Sequence, residues 1–269
     1  MILATRRFEF SAAHRYWRDD WSLEENRYHF GPCISQHGHG HNYTLDVSIT
    51  GSLDPRTGML INMTELKALV GEVLEEFDHK HLNLDTPYFH DQIPTTENIV
   101  RVLWRLIAAR LPTHVRLAHL RLYEMNDLWA DYDGCDETTF ARAYTFATAH
   151  RLHAPALSDA ENHRIYGKCN NLNGHGHNYT LEVSIAGIPD PETGMVIDLP
   201  QMDAMVRAVL DQFDFHHIDH DVPAFADRPS TAEHIVVYLW DKLVPCFAGQ
   251  LRHLKLWETR KNVFEYSGQ

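Results

Sequence analysis

The sequence contains the heptapeptide His-Gly-His-Asn-Tyr-Thr-Leu at residues 39–45 and again, without a change, at residues 175–181. In a β-strand alternate side chains point to the same face, so the two histidines share a face with the apolar residues that follow them. Two imidazoles at the mouth of an apolar face suit a metal such as zinc, which binds neutral histidine nitrogens. The motif therefore predicts two metal sites, and a catalytic zinc site needs a third protein ligand from elsewhere in each copy.

The heptapeptides belong to a longer internal repeat, in which matching residues stand 136 positions apart. The offset holds without a gap for more than 80 residues and then falls to 134 near the end of each copy. A period this long indicates duplication of a whole domain and not a solenoid of short repeats. We therefore predict two homologous units, residues 1–134 and 135–269, joined by the short polar stretch at 133–137.

Charge and hydropathy argue against several functional classes. The chain of 269 residues has a formal net charge of −13 and no basic stripe, so a nucleic-acid partner is not expected. The N-terminus lacks the apolar segment of a secretory signal, and no later apolar run approaches the roughly 18 residues of a membrane span. The 4 cysteines do not form a disulfide-framework pattern. We expect a cytoplasmic protein with reduced thiols and no membrane partner.

Hydrophobic patterning predicts the same order of elements in both units. The elements predicted for the first unit are a strand ending at His14, a strand over 39–51, helices over 62–77 and 95–111, and strands over 115–124 and 128–132. A polar loop separates the first two strands. The order ββααββ predicts an α+β fold in which helices cover one face of an antiparallel sheet.

Antiparallel pairing of the first two strands lays the end of one beside the start of the next. A histidine at the end of the first strand then joins the two of the His-Gly-His. Three protein ligands leave one coordination position of zinc open, which is the pattern of catalytic sites. The predicted zinc ligands are His14, His39 and His41 in the first unit and His150, His175 and His177 in the second.

Two further features could move protons. Cys33 and Cys169 each stand six residues before the His-Gly-His, where a thiol near Zn²⁺ would have a lowered pKa and could act as a general base. The alternatives are a small buried apolar side chain or a fourth zinc ligand. Asp78-His79, after the first predicted helix, could form a proton relay or lie in a surface loop.

Several polar residues could bind a substrate. Glu124 and Glu258 lie near the end of a strand, where each could hold an amino-pyrimidine edge through two hydrogen bonds or lie solvated at a sheet edge. The stretches Thr-Thr-Glu at 95–97 and Ser-Thr-Ala-Glu at 230–233 precede helices and could equally serve only as helix caps.

Taken together, these motifs resemble the 6-pyruvoyltetrahydropterin synthase family, which includes the 6-carboxy-tetrahydropterin synthases. The resemblance covers essentially the whole chain, twice. In the first unit it is carried by Phe-Ser-Ala-Ala-His14, Cys33-x5-His39-Gly-His41-Asn-Tyr, Asp78-His79-Lys80, Thr95-Thr96-Glu97-Asn98 and Tyr123-Glu124. In the second unit it is carried by Ala-His150-Arg-Leu, the stretch from Tyr166 through Cys169 to His177-Asn-Tyr, and Trp257-Glu258-Thr259.

The resemblance implies that each unit is a T-fold (tunnelling fold), whose copies assemble into a β-barrel with active sites at subunit interfaces. It implies a zinc-dependent lyase acting on 7,8-dihydroneopterin triphosphate, and a homo-oligomer in which three chains, or a multiple of three, provide six units or a multiple of six. The implied catalytic residues are Cys33, Asp78, His79, Cys169 and Asp214, and the implied substrate-binding residues are Thr96, Glu97, Glu124, Thr231, Glu233 and Glu258. Candidate cations for the triphosphate are Arg15, Lys80 and Arg151.

Two other readings of the same motifs stay open. One is formation of 6-carboxy-tetrahydropterin with release of acetaldehyde, on the route to queuosine, although the cysteine spacing favours the pyruvoyl enzyme. The other is a pterin-binding scaffold with reduced catalysis, against which the intact Cys33, Asp78 and His79 argue. In the second unit Phe215 replaces the histidine of the relay, with His216 just after it, so we expect that unit to be slow unless His216 swings in.

Overall fold

The computed structural model describes residues 2–268. By their internal contacts these residues form two compact units. Unit 1 is the chain as far as Ala141 together with Ala186–Gln201, and unit 2 is Arg142–Ile185 together with the chain from Met202 onward. The division of the sequence at residue 134 stays a prediction about the repeats. The contacts add that segment 186–201, which belongs to the second repeat by sequence, packs within unit 1.

The six predicted strands and helices of the first repeat follow one another in the expected order, with three short elements between them that were not predicted. They are β1 (Ala4–His14), α1 (Leu23–Phe30), β2 (His39–Gly51), α2 (Met63–Leu74), β3 (Lys80–His81), α3 (Leu82–Asp85), α4 (Thr96–Ala108), β4 (Val115–Met125) and β5 (Leu128–Tyr132). Short 3₁₀ turns occupy Gly31–Ile34 and Pro87–Phe89. The sheet order is β5-β4-β2-β1-β3, with β3 parallel to β1 and the other neighbours antiparallel.

The second repeat has the same elements. They are β6 (Thr138–His150), α5 (Asp159–Tyr166), β7 (His175–Gly187), α6 (Leu199–Leu210), β8 (His216–His217), α7 (Ile218–Asp221), α8 (Ala232–Leu243), β9 (Leu251–Thr259) and β10 (Asn262–Tyr266). Short 3₁₀ turns occupy Gly167–Asn170, Pro223–Phe225 and Val244–Cys246. The sheet order in unit 2 is β10-β9-β7-β6, and β8 pairs with β6 in parallel.

The core of unit 1 lies between its sheet and the two long helices, as the α+β expectation requires. Alternate residues of β2 are completely buried, from Tyr43 to Ile49. They belong to one apolar cluster with residues such as Leu66 and Val70 of α2 and Leu103 of α4. Burying such a side chain contributes roughly 1.5–3 kcal/mol. The apolar residues that alternate along β2 therefore form the sheet side of this core, and the apolar residues at helical spacing in α2 and α4 form its helix side.

The loop predicted between the first two strands contains a helix, α1, that the pattern did not reveal. The Ser22 hydroxyl accepts the Glu25 N–H while the Glu25 carboxylate accepts the Ser22 N–H, a capping box that starts the helix. Only Asn26 and Phe30 of α1 are buried, so the helix has no apolar stripe that periodicity could detect. The predicted α2 and α4 also end a few residues early, at Leu74 and Ala108.

Within residues 2–268, no helix is long and apolar enough to cross a lipid bilayer.

Candidate metal and substrate sites

Strand register brings the three predicted ligands of unit 1 together. The antiparallel pairing of β1 with β2 sets His14 directly opposite His39, and Ala12 opposite His41. The imidazole centroids lie 4.7 Å apart for His14 and His39, 5.1 Å for His14 and His41, and 5.0 Å for His39 and His41. One ring nitrogen from each histidine lies within 4.8 Å of the other two. The predicted convergence of the three ligands is confirmed.

The hydrogen bonds of these rings suit a metal. Nε2 of His14, Nδ1 of His39 and Nε2 of His41 are buried and have no hydrogen-bond partner among residues 2–268. The other nitrogen of His14, Nδ1, lies 2.9 Å from the Pro94 carbonyl oxygen, to which it donates. That bond holds the ring in the tautomer whose Nε2 carries a lone pair. Buried polar atoms rarely lack partners, so three such nitrogens facing one point fit a metal ion held by three histidines.

Burial favours the neutral form of the His14 and His39 imidazoles, which is the metal-binding form. It lowers the pKa of His14 to about 4, against an ordinary value of 6.5, because the charged ring would lose its hydration. The pKa of His39 is lowered for the same reason.

Unit 2 has an equivalent trio at His150, His175 and His177, with ring centroids 4.6, 5.3 and 4.9 Å apart. The Nδ1 of His150 donates to the Ser230 carbonyl oxygen at 2.8 Å, and its Nε2 and the Nδ1 of His175 are buried without a partner. Burial lowers the pKa of His150 and of His175. The described residues of each unit therefore include one three-histidine site.

Glu124 lies inside the first site and not at a solvated sheet edge. Its side chain is buried, and its Oε2 accepts hydrogen bonds from the Thr96 hydroxyl at 2.5 Å and the Tyr16 hydroxyl at 3.2 Å. Its Oε1 is 3.4 Å from Nε2 of His41. Burial and the neighbouring Glu124 carboxylate raise the pKa of Tyr16 well above its ordinary value, so the phenol stays a donor.

The start of α4 does more than cap a helix. Thr95 is the N-cap, accepting the Asn98 N–H at 3.2 Å, and its hydroxyl also donates to the Gly194 carbonyl oxygen at 2.6 Å. Glu97 is only 2% exposed, and its Oε1 accepts the Val196 N–H at 3.0 Å. Burial raises the pKa of Glu97 to about 7. Residues 194–196 thus cover this helix terminus within unit 1.

The second site lacks most of these contacts. Leu152 and Ala232 stand at the positions of Tyr16 and Thr96, and neither side chain can donate a hydrogen bond. Glu258 instead accepts from the Asn262 amide at 3.1 Å and from the Tyr179 hydroxyl at 3.4 Å.

Oε1 of Glu258 is 4.0 Å from Nε2 of His177. Thr231 caps α8 through the His234 N–H, and Glu233 is exposed. The two predicted substrate sites therefore share a metal trio but differ in the groups around the glutamate.

The two cysteines occupy matching 3₁₀ turns. The Cys33 carbonyl accepts the Tyr16 N–H at 3.0 Å, and the Cys169 carbonyl accepts the Leu152 N–H at 2.9 Å. Both thiols are reduced. Cys33 is buried in an apolar cluster that includes Tyr16, whereas Cys169 is partly exposed. The roles predicted for both residues stay predictions.

Asp78 and His79 form the predicted pair. Nδ1 of His79 is 2.9 Å from Oδ2 of Asp78, whose Oδ1 accepts the Ser11 N–H at 2.8 Å. That N–H, more than the histidine, lowers the pKa of Asp78. The His79 side chain is 83% exposed and its backbone has φ 58°, a left-handed conformation that is strained for a residue other than glycine. It lines an open cavity of about 470 Å³ together with Lys80 and His41.

The equivalent backbone in unit 2 carries no such pair. Asp214 accepts the Ala147 N–H at 2.8 Å, and Phe215, with φ 58° as well, is 87% exposed. Nδ1 of His216 donates to the backbone carbonyl of Asp214 at 2.8 Å.

Two residues of interest were missed by the sequence analysis. Tyr16 could not be identified because the second repeat has leucine at that position. His81 could have been found, because it recurs as His217 at the same offset of 136. It lines both the 470 Å³ cavity and a larger one of about 730 Å³, and its Nδ1 is buried without a partner. Arg15 also lines the larger cavity, with its guanidinium 4.0 Å from the centroid of the Trp17 ring.

Comparison with known proteins identifies the family of the chain. A model of the family "6-pyruvoyl tetrahydropterin synthase" matches the chain twice, at residues 4–135 and 139–269. The 6-pyruvoyl tetrahydrobiopterin synthase of Drosophila melanogaster is 44% identical over 130 residues, covering 47% of this chain and 77% of that protein. The corresponding protein of Homo sapiens is 44% identical over 131 residues, covering 48% of this chain and 90% of that protein.

A solved structure of Caenorhabditis elegans 6-pyruvoyl tetrahydropterin synthase has 42% sequence identity to this chain and a TM-score of 0.48. It covers 49% of this chain and 96% of that chain. Because the family model accounts for nearly all of the sequence in two successive matches, the chain belongs to the 6-pyruvoyl tetrahydropterin synthase family.

Proposed function

We propose that the protein is a zinc-dependent lyase that converts 7,8-dihydroneopterin triphosphate with loss of triphosphate. The observation that carries this proposal is the combination, within unit 1, of a three-histidine trio and a buried glutamate only 3.4 Å from one of its imidazoles. The names of two relatives, both 6-pyruvoyl tetrahydrobiopterin synthases, support the same reaction.

Zinc fits the donor set best among common metals, because three neutral imidazoles leave a position for a substrate oxygen. Bound there, the ion would polarise the side-chain oxygens of the substrate. His14, His39 and His41 would hold it, and the Pro94 carbonyl would keep His14 in the ligating tautomer.

Glu124 would hold the pterin ring. A carboxylate offers about four acceptor positions, of which Tyr16 and Thr96 use two in this structure. The remaining positions can accept the two adjacent N–H groups of an amino-pyrimidine edge. Because Glu124 is buried, two such bonds would be worth more than at the surface and would orient the substrate side chain toward the metal trio.

Cys33 would act as the base. Its thiolate would take a proton from a side-chain carbon of the substrate while the carbon–oxygen bond to the triphosphate breaks, the electron pair of that bond leaving with the triphosphate. Asp78 and His79 would carry protons for this base, and the strained, exposed backbone of His79 is typical of a functional position. Arg15 and Lys80 line the two cavities beside the site and supply positive charge for the phosphates.

We further propose that the site of unit 1 carries most of the turnover. The second site keeps its trio and Cys169, but Phe215, Leu152 and Ala232 remove the relay and both neutral donors to the glutamate. Following the family, we expect a homo-oligomer in which three chains provide six units.

The test is incubation of the zinc-loaded protein with 7,8-dihydroneopterin triphosphate, with analysis of the pterin product and of released triphosphate. We expect triphosphate release and a 6-pyruvoyl product. Cys33→Ala should lose nearly all activity, whereas the control Cys135→Ala, whose thiol is exposed, should keep full activity. Acetaldehyde and a 6-carboxy product would establish the alternative reaction. Binding without product in the loaded protein would support the scaffold reading and refute the proposal.

A further inference from the structure

The segment that follows α6 in unit 2 is rich in residues that can bind a metal ion. Residues 214–221 read Asp-Phe-His-His-Ile-Asp-His-Asp, so six of these eight side chains are histidine or aspartate. The equivalent residues 78–85 of unit 1 read Asp-His-Lys-His-Leu-Asn-Leu-Asp. The lysine, asparagine and leucine of unit 1 are thus replaced by His216, Asp219 and His220. All three replacements add a side chain that can act as a metal ligand.

Two histidines of this segment lie as close together as two ligands of the trio in the same unit. The ring centroids of His217 and His220 are 4.5 Å apart, and the ring planes are tilted by 43°. The corresponding values for His150 and His175 are 4.6 Å and 45°. The pair therefore has the spacing of two imidazoles that belong to one predicted zinc site.

A carboxylate oxygen lies beside the same ring. Nδ1 of His217 is buried and has no hydrogen-bond partner among residues 2–268. Oδ2 of Asp219 is 3.6 Å from this nitrogen, which is too far for a hydrogen bond. Two ligand atoms that are each about 2.1 Å from a tetrahedral zinc ion lie about 3.4 Å apart. The observed separation therefore suits two ligands of one metal ion.

Asp219 is held in place by two hydrogen bonds. Its Oδ2 accepts the Arg151 N–H at 2.6 Å, and its Oδ1 accepts the Ser230 hydroxyl at 2.7 Å. Each carboxylate oxygen has two acceptor positions, so Oδ2 keeps one for a metal ion. Hydrogen bonds of this kind orient the carboxylate ligands of metal sites.

Unit 1 has the same backbone arrangement with only one of these three ligands. His81 is the counterpart of the first histidine, and its Nδ1 is also buried without a hydrogen-bond partner among residues 2–268. Asn83 and Leu84 stand at the positions of the aspartate and the second histidine. Oδ1 of Asn83 accepts the Arg15 N–H at 2.8 Å, which is the bond that the aspartate makes in unit 2. The two units therefore differ here in their ligand set.

We propose that unit 2 binds a further divalent transition-metal ion, such as zinc, through Nδ1 of His217, Oδ2 of Asp219 and a ring nitrogen of His220. Two imidazoles and a carboxylate are a donor set that zinc uses in catalytic sites, with a fourth position left open. Among residues 2–268 only the two trios have all their ligand atoms within 4.8 Å of one another, so the His220 ring has to turn toward the other two ligands. Its side chain is exposed and has room to turn.

The further ion binds more weakly than the ions of the two trios. Ordering the exposed His220 side chain costs conformational entropy, whereas the histidines of the trios already converge. The site is therefore occupied when free metal is in excess and empties when free metal is removed. Metal analysis after desalting then counts the ions of the two trios alone.

The further site lies beside the cavity of the unit 2 trio. His217 and His177 both line this cavity, which has a volume of about 510 Å³. The open coordination position of the further ion can bind water or an oxygen of a ligand in the cavity. Unit 1 has Lys80 where unit 2 has His216, so the ion would restore a positive charge that unit 2 lacks and would favour an anionic ligand.

The test is a zinc titration that needs neither pterin nor turnover, so it is independent of the proposed function. Desalted, zinc-loaded protein is titrated with further Zn²⁺ against a fluorescent indicator of free zinc. The wild type should bind one more ion per chain. Asp219→Asn and His220→Leu, which introduce the residues of unit 1, should each weaken this binding by about tenfold or more. His163→Leu, at another exposed histidine of unit 2, is the control and should bind as the wild type does.

Two further measurements assign the ligands. Asn83→Asp combined with Leu84→His completes the ligand set beside His81 and should add a second weakly bound ion per chain. Long-range ¹H–¹⁵N spectra recorded with excess zinc should show Nδ1 of His217 as a metal-bound nitrogen. The proposal would be overturned by the absence of a further ion in the wild type, by unchanged binding in Asp219→Asn and His220→Leu, or by a metal-free Nδ1 in these spectra. It would also be overturned if the double variant of unit 1 gained no ion.

Discussion

Replacing Glu97 with glutamine should make the protein more stable at neutral and alkaline pH and leave it nearly unchanged under acid conditions. Glu97 is 2% exposed, and burial raises its pKa from an ordinary 4.5 to about 7. Each unit of difference between the folded and unfolded pKa is worth about 1.4 kcal/mol, so keeping this carboxylate ionised costs the folded state roughly 3 kcal/mol. Glutamine has the shape of the protonated acid, and its Oε1 can still accept the Val196 N–H.

The direction of the pH dependence of stability follows from proton binding by Glu97. Between pH 4.5 and about 7 the folded state holds a proton on Glu97 that the unfolded state has released. The free energy of unfolding of the wild type therefore falls as the pH rises through this window, and the stabilisation present below pH 4.5 is lost above pH 7. The Glu97→Gln variant lacks this dependence, so its advantage over the wild type should grow across the window to about 3 kcal/mol.

Urea unfolding at several pH values, at one protein concentration and without metal, measures this advantage. Glu72→Gln, on the exposed face of α2, is the matched control and should track the wild type at every pH. The ¹³C chemical shift of the Glu97 carboxyl should titrate near pH 7 in the folded wild type. If wild type and Glu97→Gln lose stability in parallel between pH 4.5 and 8, the reasoning about this burial is wrong.

Three further predictions concern the sites. Metal analysis of the fully loaded protein should find two zinc ions per chain, and substituting His39 and His175 together should empty both sites; one ion or none in the wild type would contradict this. Cys33→Ala should lose most turnover while keeping its metal, and loss of metal would make the thiol a ligand. His79→Ala should abolish activity while Phe215→Ala changes it little, since phenylalanine cannot carry a proton; near wild-type turnover in His79→Ala would refute the relay.

The metal trio could be predicted because its geometry depends on local rules. A strand has a period of two, and antiparallel pairing brings the end of one strand to the start of the next. The register His14 opposite His39 follows from these rules. A shared strand face, convergence by strand pairing and repetition at a fixed offset together separated these six histidines from the other 14 of 20 in the chain. The family match confirms the resemblance, and with it the α+β T-fold class.

Local rules of strand periodicity and pairing could not predict the surroundings of Glu124 and Glu97. Whether a glutamate at a strand end is solvated or buried depends on which side chains pack over it, and those come from distant parts of the chain. For Glu124 they are Tyr16 and Thr96, and for Glu97 the cover is the backbone around Val196, 99 residues away. The capped helix α1 escaped prediction because it buries only two residues, so its hydrophobic pattern is too weak to see.

By itself, then, the sequence determined the duplication, the order of the four long strands and two long helices of each repeat, and the two histidine trios, because each depends on short-range periodicity or on exact repetition. Only the tertiary structure decided which of the two glutamates at the starts of α4 and α8 is covered. The heptapeptides of the two repeats are identical, but the residues around them are not equally covered. Glu97 is buried by the loop that ends at Val196, whereas its counterpart Glu233 is exposed. Whether a side chain is buried depends on contacts from segments that are distant in the sequence. No local pattern in either repeat predicts which of two similar loops will make these contacts.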